Sequence, residues 1–171
     1  MCDNCGNYEN ERFRMLALEF DVAAANKLVT PERPLRTVPK AFLEGIGLPL
    51  EEEKCLNCGV VISQCSCGKK SHHMSMVYIN EPHLAHLQDP ERPGILATVL
   101  WAKPDGGPKM SAILIDGNHR AVRAHREGRE FKAIMLTPTE TWKIVDGLTK
   151  CIVNPSTKKG KAILAELGWA E

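Results

Sequence analysis

A chain of 171 residues with 43% apolar and 25% charged residues is long enough to bury a core and has the make-up of a globular protein. No apolar run approaches the roughly 20 residues that a membrane-spanning helix needs, which excludes a spanning segment and a membrane partner. The net charge of +1 hides an asymmetry of −3 over residues 1–54 against +4 over residues 55–171.

Between residues 9 and 29, Phe13, Leu16, Phe20, Ala23, Ala24 and Leu28 recur near the helical period with charges opposite them, which predicts an amphipathic helix. Thr30-Pro31 ends it, and Pro34 and Pro39 keep the chain extended up to a short helix over 40–44. The acidic run Glu51-Glu52-Glu53 closes this helical N-terminal extension, residues 1–54, and a cysteine cluster fills residues 55–73. The main domain is expected over 74–147. It opens with a strand at 74–79 and a helical turn carrying His83, Leu84, His86 and Leu87, which Pro90 and Pro93 stop.

Two β-rich runs follow, 95–101 and 110–115. The sequence Lys103-Pro104-Asp105-Gly106-Gly107-Pro108 between them reverses the chain, so they should pair antiparallel. A helix from 118 to about 127, closed by Gly128, a strand over 131–136, and a helix entered through Thr137-Pro138-Thr139-Glu140 complete the domain. A last helix, 157–167, lies in a C-terminal segment of residues 148–171. The expected class is α+β: a small mixed sheet with flanking helices, without internal repeats.

Cys55, Cys58, Cys65 and Cys67 place four thiols within thirteen residues, and the Cys-x-x-Cys-Gly turn brings two sulfurs to one point. Four thiolates bind zinc tetrahedrally and leave no open position, which reads as structural Zn2+ rather than a redox dithiol or an iron–sulfur cluster. Cys2 and Cys5 repeat the spacing. They complete a shared site with Cys55 and Cys58, form their own with His72 and His73, or stay free thiols; Cys151 reads as a buried small residue. The opening Met1-Cys2-Asp3-Asn4-Cys5 lacks the basic-then-apolar pattern of a secretory signal, so a reducing, cytoplasmic location is expected.

The stretch from Ile113 to Ala124 carries the most chemistry. An apolar strand runs through Asp116 and Gly117 into a helix beginning Asn118-His119-Arg120, and the free N–H groups and dipole of such a helix end suit a phosphate. Asp116, Gly117, Asn118, His119, Arg120 and Arg123 are therefore the candidate phosphate-binding residues. The plain alternative is an ordinary strand-to-helix turn with Asn118 as its cap. His119, Arg120, Arg123, His125, Arg126, Arg129 and Lys132 form a basic cluster, either a solvated helix face or a nucleotide or nucleic-acid footprint.

Residues 74–147 resemble the ParB N-terminal domain and sulfiredoxin superfamily. The resemblance rests on Leu100-Trp101, the turn Asp105-Gly106-Gly107, the strand 113–115, the loop Asp116-Gly117-Asn118-His119-Arg120, and the order of the elements after it. It implies that Asn118, His119 and Arg120 hold nucleotide phosphates. The sulfiredoxin catalytic cysteine falls on Asn118, and an amide cannot act as that nucleophile, so sulfinic-acid repair is not expected. The arginine-rich ParB loop, a partner-gate motif and a helix-turn-helix are also missing, which argues against chromosome or plasmid partitioning.

The kinase-like members keep an acid where Glu81 lies, so Glu81 is the candidate base, with His119 and Arg120 as phosphate clamps and Asp116 as a Mg2+ ligand or loop brace. A helix cap or surface pair is the plain alternative for Glu81 and His83. The leading expectation is a nucleotide-binding protein, ATP-binding or using another NTP with Mg2+, that hydrolyses it or transfers its phosphoryl group. The alternatives are a DNA-binding module or nuclease using the basic helix and zinc knuckle, and a non-catalytic interaction protein of phage or plasmid origin. Metal analysis of the purified protein is expected to find about one zinc per chain, and chelation to loosen the segment from Cys55 to Cys67 before the core melts. Folded protein without zinc would remove the metal reading.

Overall fold

The computed structural model describes residues 12–15, 18–44, 46, 79, 81–87, 89–101, 109–146 and 152–169. In chain order its elements are β1 (Arg12–Met15), β2 (Leu18–Asp21), α1 (Val22–Leu28), β3 (Leu35–Thr37), α2 (Lys40–Glu44), α3 (Glu81–Ala85), β4 (Gly94–Trp101) and β5 (Lys109–Asp116). There follow α4 (Asn118–Arg126), β6 (Lys132–Met135), α5 (Pro138–Ile144), β7 (Val145–Asp146) and α6 (Lys158–Glu166). The fold is mixed α+β, with two small sheets. Among the described residues no helix is long and apolar enough to cross a membrane.

The larger sheet has the order β3-β6-β4-β5: β4 pairs antiparallel with β5 and parallel with β6, and β3 pairs antiparallel with β6. The parallel pair requires a crossover, which α4 supplies between β5 and β6. Seven consecutive residues of β4, from Gly94 to Leu100, are buried, the pattern of a strand covered on both faces. On one face Leu96 and Leu114 pack with Ala121 and Val122 of α4, with Val38 and Leu43 around α2, and with Leu84 of α3. On the other, Ile95, Ala97, Val99, Ile113 and Ile115 pack with Leu18 and Phe20 of β2, Ala25 of α1 and Ile144 of α5.

The N-terminal segment corrects the sequence reading. In place of one helix from residue 9 to 29 there is a hairpin, β1 with β2, and only Val22–Leu28 is helical. Along β2 burial alternates, with Leu18 and Phe20 inside and Glu19 and Asp21 partly exposed, which is the two-residue period of a strand. Phe13 faces Phe20 across the hairpin with ring centroids 6.3 Å apart. β7, which pairs with β2 in the smaller sheet, was not anticipated at all. Nor does this segment stand apart from the main domain, because β3 joins the larger sheet and Leu18, Phe20, Val38 and Leu43 fill its two cores.

The expected short helix over 40–44 is α2, the antiparallel pair is β4 with β5, and Gly128 closes α4 with a positive φ of 68°. Thr137 and Glu140 cap α5 reciprocally: the Thr137 side chain accepts from the Glu140 N–H, and the Glu140 carboxylate accepts from the Thr137 N–H at 2.8 Å. Thr157 likewise accepts from the Gly160 N–H to start α6. The expected strand at 74–79, apart from Ile79, and the cysteine segment lie outside the described residues.

One contact fixes how β4 meets the end of β5. A Cβ on Gly94 would stand 2.8 Å from both the Asp116 carbonyl oxygen and the Phe131 ring, and 2.9 Å from a Leu114 methyl. Replacing Gly94 with Ala should therefore destabilise the fold by about 1–3 kcal/mol through overpacking, read as a lowered midpoint in chemical denaturation. An unchanged midpoint would show that this approach is not tight.

Candidate functional site

The loop singled out by the sequence sits at the C-terminal end of β5. A register shift in the β4–β5 ladder pairs Ile95 with Asp116 but Leu96 with Leu114, leaving Ile115 as a bulge just before the turn. Gly117 is then the N-cap of α4, at φ 91° and ψ 14°, a left-handed conformation in which a side chain would be strained. A Cβ there would also stand 2.9 Å from the Gly94 Cα. The cap is thus Gly117, not Asn118, which is the first helical residue. Being a glycine, the cap brings no side-chain acceptor to the first turn.

Asp116 and Arg120 turn inward, at 6% and 8% exposure. The Arg120 guanidinium donates Nη2 to Asp116 Oδ2 at 3.2 Å and to the Pro93 carbonyl at 3.3 Å, and Nε to the Arg92 carbonyl at 3.1 Å. A second guanidinium, Arg92, lies 3.7 Å from the same Asp116 oxygen and also donates to Asn26 of α1. Arg120 is therefore a brace tying α4 to the strand before it and to the entry of β4. This geometry does not fit the role of phosphate clamp expected of Arg120, because its donors face protein acceptors. It does not fit Asp116 as a Mg2+ ligand either, because two cations already flank its carboxylate.

Asn118 is also buried: its amide donates to the Leu114 carbonyl at 3.2 Å, and its Oδ1 has no hydrogen-bond partner. His119 alone of the predicted loop side chains remains partly exposed. Its ring meets that of His83 edge to face, with centroids 4.7 Å apart. Burial, then the neighbouring His83 and Arg120, holds the His119 imidazole below its ordinary pKa of 6.5. The neutral ring is favoured, so at neutral pH it offers a hydrogen bond rather than a charge.

Three arginines of the rest of the basic cluster pair with acidic neighbours at the surface. Arg126 makes a two-pronged pair with Glu81, 2.8 Å at each prong, and Arg123 bonds Glu127 at 2.8 Å. Arg129 reaches both Glu91 at 2.9 Å and Glu127. Spaced three and four residues apart, His119, Arg123 and Arg126 lie along one side of α4, and α3 docks there through His83 and Glu81. The hydrogen bond from Arg126 lowers the Glu81 carboxyl below its ordinary 4.5, which makes Glu81 a weaker base. Exposed pairs of this kind contribute little stability, but they neutralise the charge that a nucleic-acid footprint would use.

Sequence reasoning missed Gly94, Arg92 and the His83–His119 pairing. A glycine directly after Pro93 was the available signal for the first; the other two depend on α1 and α3, which pack from elsewhere in the chain. Cys55, Cys58, Cys65, Cys67, Cys2, Cys5, His72 and His73 lie outside the described residues, and among the described residues no group of His, Cys, Asp or Glu has the form of a metal site. No family model, curated protein or solved structure matches the chain.

Removing Asp116 leaves the Arg120 guanidinium buried without its counter-charge. Asp116→Ala should cost about 3–5 kcal/mol of stability, seen in urea denaturation, whereas Glu81→Ala, which removes only an exposed ion pair, should leave the midpoint nearly unchanged. Equal, small effects would show that the Asp116–Arg120 pair is not the brace described.

Proposed function

We propose that this chain is a nucleotide-binding protein of the ParB and sulfiredoxin-like kind, in which the first turn of α4 receives phosphate with His119 and His83 beside it. The observation that carries this reading is the N-terminus of α4: it is capped by a left-handed glycine without a side-chain acceptor, held by Gly94 and the Asp116–Arg120 brace, and flanked by two imidazoles. Backbone amides in that setting are suited to an oxyanion. The order β4, β5, α4, β6, α5 agrees with the order the resemblance implies. Arg120 acts as the positioning residue rather than the clamp. Structural Zn2+ on Cys55, Cys58, Cys65 and Cys67 belongs to the same proposal.

For the chemical step, Glu81 is a poor base while Arg126 holds it, so binding with slow turnover, or binding alone, fits better than efficient NTP hydrolysis or phosphoryl transfer. The DNA-binding alternative draws less support, because Arg123, Arg126 and Arg129 are each paired with carboxylates.

A thermal-shift panel of ATP, CTP, GTP and their diphosphates, with and without Mg2+, and of short duplex DNA, tests the reading. A triphosphate at about 100 times its Kd should stabilise the fold by about 2.7 kcal/mol, and His119→Ala should weaken its affinity by about 0.5–1.5 kcal/mol. A rise with DNA alone that vanishes with added salt would replace the proposal by the DNA module. No rise with any of these ligands would leave a protein-interaction role.

A further inference from the structure

The order β3-β6-β4-β5 leaves β3 at one edge of the larger sheet, and its three residues, Leu35, Arg36 and Thr37, are all exposed. The ladder to β6 fixes which backbone groups are used. Val38 donates its N–H to the Phe131 carbonyl at 2.9 Å, and the register sets Thr37 against Lys132, Arg36 against Ala133 and Leu35 against Ile134. Hydrogen-bonded pairs alternate along an antiparallel ladder, so Val38 and Arg36 bond to β6, while the N–H and C=O of Leu35 and Thr37 point the other way. Among the described residues nothing bonds to those four groups. They form a short, open strand edge.

The side chains around this edge are apolar and cationic. Leu35 and Leu167 are the large apolar side chains exposed among the described residues, at 49% and 38%. Leu35 shares a sheet face with its register partner Ile134, and Ile134 lines a cleft of about 210 Å³ together with Pro34, Met135 and Trp169, beside Arg33 and Arg36. Leu167 lies two residues before Trp169. β3 and β6 carry two cations, Arg36 and Lys132, and no carboxylate. Neither cation has an ion-pair partner among the described residues. Glu140, next to the cleft, is taken by Arg33, and Glu32 and Glu130 lie beyond the opposite ends of the strand pair.

A second copy of this chain is a poor occupant of the edge. Pairing β3 with itself so that Leu35 and Thr37 exchange hydrogen bonds would set each copy's Arg36 opposite the other's, and like charges in that position destabilise a strand pair. An acidic strand meets the reverse situation. We propose that β3 is the docking edge for an extended acidic segment of a partner protein, which adds antiparallel to the sheet with a carboxylate residue opposite Arg36 and an apolar residue on each side of it. Backbone bonds to Leu35 and Thr37 supply the attachment, as in strand addition generally. The residue opposite Arg36 sits in a pair without mutual hydrogen bonds, where Cα atoms stand about 4.5 Å apart and side chains meet closely. Its apolar neighbours fall on the face of Leu35 and Ile134. Arg36 thus deters edge-to-edge pairing of like chains and selects an acidic partner. This edge lies opposite β5, the strand that carries the α4 loop, so docking here is independent of phosphate binding there.

The test titrates the full chain, labelled with 15N, with the acetylated and amidated peptide Gly-Ser-Val-Glu-Val-Ser-Gly. Two controls are the same peptide with lysine in place of glutamate, and the acidic peptide with both valines N-methylated, which removes the N–H groups that would bond to Leu35 and Thr37. The acidic peptide should shift the Leu35 and Thr37 amide signals saturably and slow their hydrogen exchange, binding at least about tenfold more tightly than either control. Arg36→Glu, at an exposed position, should reverse the preference between the acidic and the lysine peptide and leave the melting temperature unchanged. No saturable shift of these two amides with the acidic peptide would overturn the proposal. So would equal binding of either control, or an unchanged preference in Arg36→Glu. A shift of the same amides on raising the protein concentration alone, with a dimer in sedimentation, would assign the edge to a second copy instead.

Discussion

A carboxylate removed from water must be met by cations and hydrogen bonds, and Asp116 at the end of β5 is such a carboxylate. Its partner Arg120 lies one helical turn along α4, so the pair ties the last residue of the edge strand β5 to the first turn of the helix that follows. The same guanidinium reaches the carbonyls of Arg92 and Pro93, which lead into β4. One side chain thus joins two neighbouring strands and the crossover helix. The bulge at Ile115, the left-handed Gly117 and the bare Cα of Gly94 are what let these backbones come close enough for that reach.

The consequence for function is a division of labour inside a short motif. Asp116, Gly117 and Arg120 build the turn, Asn118 is buried beneath it, and His119 is the side chain left partly exposed at the start of the helix. A loop whose charged residues brace one another holds its amides at fixed positions, which is what recognition of an oxyanion by backbone groups needs. The docking of α3 adds His83 to that position and at the same time pairs Arg126, further along α4, with Glu81. Charge that looks like a surface footprint in one dimension is largely internal pairing in three.

The cleft around Arg33 and Trp169 shows a different arrangement of the same side-chain types. There the guanidinium is only half engaged, by Glu140, and the helix start it touches is already closed by a reciprocal cap. The buried unsatisfied donors come from segments 136 residues apart, residues 33 and 169.

Much of the central architecture was legible in the sequence because its signals are local. Proline and glycine mark the ends of β4, β5 and α4, the Thr-Pro-Thr-Glu run announces the cap of α5, and the apolar runs of two buried strands need no partner to be recognised. The loop at 116–120 was found for the same reason. The hairpin at the N-terminus was misread because Phe13, Leu16 and Phe20 fit a helical spacing, while the two-residue alternation of β2 rests on Leu18 and Phe20 alone, and the choice fell to pairing with β7, more than a hundred residues away. Residue types and short spacings determined which segments carry chemistry; only the tertiary packing decided which way each charge points, because an arginine pairs with whichever carboxylate or carbonyl the fold brings within reach.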